Sequence, residues 1–195
     1  MNTVPHEQQD TSPIARLARI IGRAARFEGD IHGLGTGELA ALARLDPDGD
    51  WRPHQVAALS RALIQAGIDP DRWSRDESLE NWRRWALIAH GIALTGHAKG
   101  FLGEQLYRSG ITDARATTSP GISEARVTKL LTARGDAFRQ LVPRLLRLLA
   151  AKETAPNWHE LGRLILHENR NEEKAETIRM NIAGRYFSMM AKSAA

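Results

Sequence analysis

Residues 126–152 read RVTKLLTARGDAFRQLVPRLLRLLAAK. Two patterns are superposed in this stretch. Leu130, Leu131, Phe138, Leu141, Val142, Leu145, Leu146, Leu148 and Leu149 recur at three- and four-residue spacing, which predicts helix with one apolar face. Around them stand Arg126, Lys129, Arg134, Arg139, Arg144, Arg147 and Lys152, seven bases against the single acid Asp136. A disordered basic tail has no such apolar stripe. The stretch therefore reads as a folded helical hairpin, packed on one face and strongly cationic on the other. Such a face either meets a polyanion or endures its own repulsion, and nucleic acid is the commonest polyanion.

The asymmetry extends outward from the hairpin. Net charge is +4 over 195 residues, yet residues 1–98 hold 11 bases and 13 acids while residues 99–195 hold 16 and 10. An acidic half joined to a basic half fits an oriented binding surface. The chain has no cysteine, which excludes disulfides, thiolate metal sites and cysteine nucleophiles. No apolar run reaches the ~18 residues of a membrane span, and the polar start is unlike a signal peptide. A cytoplasmic protein with no membrane contact is expected.

Helix signals recur along the chain and strand signals do not, so the expected class is all-α. Ser12 and Pro13 open a first helix with the stripe Leu17, Ile20, Ile21, Ala24 and Phe27. A short helix follows Thr36. Pro53 opens a third, ending near Ala66 before Gly67, and Ser78 a fourth through Trp82, Trp85, Ile88, Ala89 and Ile92. A fifth covers residues 101–109. The Thr-, Ser-, Pro- and Gly-containing run ITDARATTSPG at 111–121 reads as a loop. Ser123 caps the next helix to Arg134; Gly135 and Asp136 open its successor, which Pro143 should bend or split. Asn157 and Glu160 have capping-box spacing, and Asn171 caps the last helix. The expected organisation is a tail at 1–12, a helical lobe at 13–110, a linker at 111–122 and a basic helical lobe at 123–195.

Other constellations are weaker. DPDGD at 46–50 resembles a calcium loop, but its glycine is at the fourth position and Ala57 stands where the bidentate glutamate is needed. A turn before the Pro53 helix is expected. GLGTG at 33–37 has no preceding strand and no phosphate-loop lysine, and reads as an inter-helix turn. Of seven histidines, His90 and His97 are seven apart, but Gly91, Thr95 and Gly96 end the helix between them. His159 and Glu160 beside Glu168 and Glu172 hint at acid–base work, although Glu160 already has a capping role. No nucleophile elbow and no metal set is present, so neither cofactor nor metal nor catalysis is expected. The five tryptophans read as core. Arg16, Arg19, Arg23 and Arg26 fall in one narrow sector of the first helix, facing either phosphate or carboxylates such as Glu28 and Asp30.

Several elements together resemble the CasB family, the small subunit of the type I-E CRISPR effector complex Cascade. They are GEQLYRSG at 103–110, SEAR at 123–126, KLLTARGD at 129–136, RLLRLL at 144–149 and NWHEL at 157–161. Trp51-Arg52-Pro53-His54-Gln55 with Ala58-Leu59, and WALIAH at 85–90, fit the same family, and the resemblance spans roughly residues 14–190. Two departures stand out: the insertion from Thr112 to Ile122, and Gly135 where relatives can carry a base, with Arg134 beside it.

The resemblance implies an all-α, non-catalytic subunit present in two copies, held to the repeated backbone subunit and the large subunit. It implies contact with guide RNA, target DNA and the displaced DNA strand of the R-loop in antiviral defence. Motif positions carry over Arg52, Arg134, Arg144, Arg147 and Arg170 as contacts to nucleic acid; Arg126 and Lys129 are added from charge alone. Two rival readings remain open. A free-standing helical regulator predicts preference for one duplex sequence, and a purely protein-docking subunit predicts no affinity for nucleic acid.

Overall fold

A computed structural model describes residues 11–26, 33–110 and 120–193. Among these, nine α-helices and one 3-10 turn occur and no strand, so the protein is all-α. The expected tail at 1–12 lies outside the described residues up to residue 10, as do Phe27, Glu28, Asp30 and most of the insertion. Two compact units divide at Gly96 and His97.

The first unit holds α1 (Pro13–Ala25), α2 (Thr36–Ala43), α3 (Pro53–Gln65), the 3-10 turn Pro70–Arg72 and α4 (Arg75–Thr95). Ser12 Oγ accepts the Ala15 N–H at 3.1 Å and Pro13 occupies the first turn, where its missing donor costs nothing. Leu17, Ile21, Leu42, Leu45, Leu59, Leu63, Ile88 and Ile92 form the core. Polar clasps tie the helices together. Gln55 Oε1 accepts the Arg52 N–H at 3.0 Å while its Nε2 donates to the Arg44 carbonyl at 3.3 Å, and His90 Nδ1 lies 3.1 Å from the Leu42 carbonyl. The fourth helix starts one turn earlier than expected, at Arg75 after Ser74 rather than at Ser78. Its first turn is acidic (Asp76, Glu77), which suits the positive end of the helix dipole.

The DPDGD turn uses its own carboxylate. Asp46 Oδ1 accepts the Asp48 N–H at 3.2 Å, and Trp51 Nε1 donates to the Asp46 carbonyl at 2.7 Å. At the glycine-rich turn, Glu38 Oε2 accepts the Gly35 N–H at 2.8 Å and so fills the end of α2 that a phosphate would need. Trp85 is buried, but the expectation of core packing is met only in part by Trp51, Trp73 and Trp82. These are half-exposed and stack edge to face around Trp82, with centroids 6.4 and 5.3 Å away.

The second unit holds α5 (Leu102–Arg108), α6 (Glu124–Thr132), α7 (Gly135–Ala151), α8 (Trp158–His167) and α9 (Glu172–Ser193). α9 is its axis, packing against α5, α6 and α8. Gly103 permits the α5–α9 crossing: a Cβ there would overlap the Ile182 carbonyl oxygen and crowd the Tyr186 amide. This packing makes α5 part of the basic unit and shifts the division from 111–122 to Gly96. The insertion does not join two lobes. At its end, Gly121 N–H donates to the Tyr107 carbonyl (2.6 Å) and Ile122 N–H to the Leu106 carbonyl (3.0 Å), so the chain re-enters where α5 ends. Tyr186 fastens this return by donating to the Ile122 carbonyl at 2.6 Å, and burial pushes its phenol up to about 12, with Glu124 and Tyr107 adding to the shift.

The capping box at Asn157 is divided between two helices. Asn157 Oδ1 accepts the His159 N–H at 2.9 Å and caps α8, but Glu160 reaches across to accept the Leu102 N–H of α5 at 2.7 Å. Pro143 stands inside one continuous α7 and does not split it. It lacks the N–H that would meet the Arg139 carbonyl.

Candidate nucleic-acid interface

α6 buries Val127, Leu130 and Leu131, which turns Arg126 and Lys129 outward, three residues apart. α7 buries Phe138, Val142, Leu145, Leu146 and Leu149. Its exposed stripe runs Asp136, Gln140, Arg144, Arg147 and Ala151. Among the described residues, no acid stands within ion-pair distance of Arg126, Lys129, Arg144 or Arg147. Like charges three residues apart on a helix repel by a few tenths of a kcal/mol, about 0.2–0.5. An anion between them converts that repulsion into attraction. Lys152 caps the C-terminal end of α7 beside Gly110, where the helix dipole favours a cation. Arg139 is half-buried and engaged within the chain, so it does not belong to the open stripe.

Arg134 behaves differently. It lies in extended backbone between α6 and α7, and its guanidinium makes four hydrogen bonds within the protein. Nε donates to Glu172 at 3.1 Å, Nη2 to Glu176 at 2.7 Å, and Nη1 to the carbonyls of Leu131 (2.8 Å) and Ala133 (3.0 Å). The same two glutamates reach Arg179 on α9, at 3.1 and 3.4 Å. Arg179 is 2 % exposed and also pairs with the buried Glu168, whose other oxygen accepts the Gly135 N–H at 2.8 Å and so caps α7. Phe138 lies 5.9 Å from the Arg179 guanidinium. Two arginines and three glutamates thus lock the α6–α7 junction to the α8–α9 junction.

The sequence reading missed this cluster, although a signal was present. Glu172, Glu176 and Arg179 share the i, i+4, i+7 spacing that aligns side chains along one helix, next to the apolar Ala175 and Ile178.

The remaining expected contacts are dispersed. Arg170 is exposed in the α8–α9 turn and is engaged within the chain. Arg52 is exposed at the start of α3, in the other unit. On α1, Arg19 and Arg23 are exposed, and so is Arg26 at its C-terminal cap, which has a contact within the chain. Arg16 is half-buried and spent on structure, donating to the Ala66 carbonyl at 2.7 Å and the Thr11 carbonyl at 2.8 Å.

Of the residues suspected of acid–base work, His159 and Glu168 are buried, Glu160 is half-buried and Glu172 is exposed. Burial lowers the His159 pKa, and Arg163 and His97 lower it further. Burial raises that of Glu160, against the opposing pull of the Leu102 N–H and of Arg185 and Arg163. Among the described residues no group of three His, Asp or Glu side chains is placed to hold a metal ion, and no helix is long and apolar enough to cross a membrane.

The described residues are thus all-helical, and α6 and α7 expose Arg126, Lys129, Arg144 and Arg147 with no acid at ion-pair distance among those residues. Residues 38–187 match the family model described as CRISPR-associated protein Cse2, and the chain belongs to that family, the CasB family of type I-E Cascade. Membership makes it a subunit of a CRISPR Cascade complex. No curated protein and no solved structure matches the chain.

Proposed function

We propose that this Cse2-family chain holds nucleic-acid backbone without reading sequence and without catalysis, using Arg126, Lys129, Arg144 and Arg147. In the assembled complex it steadies the guide RNA–target DNA hybrid and retains the displaced strand. A second copy, the repeated backbone subunit and the large subunit are its protein partners. The observation that carries the reading is the set of four exposed cations with no acid at ion-pair distance among the described residues. Exchanging a DNA duplex for a guide–target hybrid is nearly balanced in free energy, so modest backbone contacts suffice to tip it. Arginine's planar fork grips two phosphate oxygens, and each contact releases a counterion.

The test is binding of the purified protein to fluorescent single- and double-stranded DNA of unrelated sequences across ~50–200 mM salt. Four phosphate contacts predict a single-strand slope of log K against log salt near −3, about a fifty-fold loss across that range. Binding of one duplex sequence that survives salt replaces this reading with a regulator. Absence of binding at every salt replaces it with a protein-docking face.

A further inference from the structure

Arg134 has the chemistry of a phosphate ligand but is already gripped. Its Nε and one Nη each meet a separate carboxylate oxygen, Glu172 at 3.1 Å and Glu176 at 2.7 Å, much as a guanidinium meets the oxygens of a phosphate. Arg134 remains 40 % exposed, and the two glutamates 59 % and 48 %. The pairs are therefore open to solvent and to an incoming anion. Such exposed pairs are weak, typically below ~1 kcal/mol, and a polyanion can outcompete them. Arg179 holds the glutamates in place from beneath. It is 2 % exposed, and its pairing with buried Glu168 keeps it on α9, beyond reach of any ligand.

We propose that Glu172 and Glu176 act as an internal stand-in for phosphate that restrains Arg134, keeping this cation out of the open set until a nucleic-acid backbone displaces it. The clamp rests on the backbone-binding reading and sets its strength. With the glutamates in place α6 and α7 offer Arg126, Lys129, Arg144 and Arg147; with their charge removed Arg134 joins that set. The carboxylates also repel any strand that approaches the α6–α7 junction, a cost that a weakly bound strand cannot meet and that a strand held by the rest of the assembly can offset through its other contacts.

The measurement is single-strand binding against salt for the wild type, Glu172→Gln/Glu176→Gln, Glu176→Gln alone and Glu173→Gln. The paired and single variants are each repeated with Arg134→Ala, and helicity and thermal melting confirm that each variant folds. Glu173 is an exposed acid on the same turn that makes no ion pair with Arg134, so its neutralisation controls for net charge. Glu176→Gln is the milder variant because Glu168 and Glu172 still hold Arg179.

The expected result is about three- to tenfold tighter binding by the double variant and a slope steeper by about 0.7, one extra phosphate. Glu173→Gln should change affinity less than about twofold, and the gain should vanish with Arg134→Ala. An equal gain from Glu173→Gln, or a gain that persists without Arg134, overturns the clamp. If the wild type binds steeply with salt and Arg144→Ala weakens it while the glutamine variants change nothing, the clamp alone falls. If no variant binds at ~50 mM salt, the backbone-binding reading falls and the clamp with it.

Discussion

Arg144 and Arg134 come from the same run of basic residues, and the fold treats them in opposite ways. Arg144 and its neighbour Arg147 stand on the solvent stripe of α7, with no acid near them among the described residues. Arg134, ten residues earlier, is held by two glutamates of α9 that also reach the buried Arg179. A count of bases assigns both the same role. The difference lies in geometry: helical spacing decides which α7 positions face solvent, whereas long-range packing decides that α9 delivers its acids to the α6–α7 junction.

The sharpest way to break this contrast is to remove the buried end of the cluster. Arg179→Met leaves Glu168 buried without its cation, and removal of one member of a buried pair typically costs about 3–5 kcal/mol. Urea unfolding followed by helicity should show that loss. A change below about 1 kcal/mol means that the cluster is not holding the helix junctions together.

The next effect concerns the two faces of α9. Gly103→Ala forces a methyl group against the Ile182 carbonyl oxygen. Overpacking of this kind costs about 1–3 kcal/mol. Gly184→Ala, on α9 itself, meets nothing within 4 Å on an exposed position. It should stabilise the helix by about 0.5–1 kcal/mol. Thermal melts of the two variants should therefore move in opposite directions. Parallel shifts would refute the close α5–α9 crossing.

Much of the fold was legible because helices announce themselves locally. Ser12 with Pro13, Gly67 and Asn171 act as the caps their types suggest; Asn171 Oδ1, for example, accepts the Lys174 N–H at 3.0 Å. The apolar residues of 126–152 are buried at the expected helical spacing apart from Leu141 and Leu148, which are half-buried. What was not legible depends on contacts between distant residues. Composition marks 111–121 as a boundary, but nothing local reveals that Gly103 lets α5 lie against α9, or that Gly121 returns to the end of α5. Glu160 has the spacing of a local cap, yet it serves Leu102, 58 residues away. Arg16 belongs to a cationic stripe in sequence and to the Ala66 carbonyl in space. For the candidate site, helical phase identified the exposed α6 and α7 cations; it had no means of separating them from Arg134.

The contrast is sharpened from its other side by Arg144→Ala/Arg147→Ala. Loss of two free cations should reduce the single-strand salt slope by about 1.4 and weaken binding by roughly tenfold at low salt. Stability should stay within about 0.5 kcal/mol, because exposed side chains without partners contribute little to the fold. Arg134→Ala should weaken binding less than Arg144→Ala, because what that cation gains from a phosphate is partly offset by the glutamate contacts it gives up. Equal losses from Arg134→Ala and Arg144→Ala would erase the distinction between clamped and open arginines.

The smallest effect tests whether the buried ionisable groups of the basic unit are structural. His159 has its pKa lowered below the ordinary 6.5, chiefly by burial and then by Arg163 and His97. The unfolded chain therefore takes up a proton on His159 more readily than the folded one. Its contribution to stability is fully present above pH 6.5 and is lost as pH falls through the lowered value. Glu160 has the opposite sign. Burial raises its pKa above the ordinary 4.5, so the stability linked to its protonation is present below pH 4.5 and lost as pH rises through the raised value. Urea midpoints from pH 7 down to pH 5 should decline in the wild type from the His159 contribution. His159→Gln should flatten that decline, while Glu160→Gln should leave it in place and remove only the opposing contribution at lower pH. A decline unchanged by His159→Gln would assign the pH sensitivity to other groups.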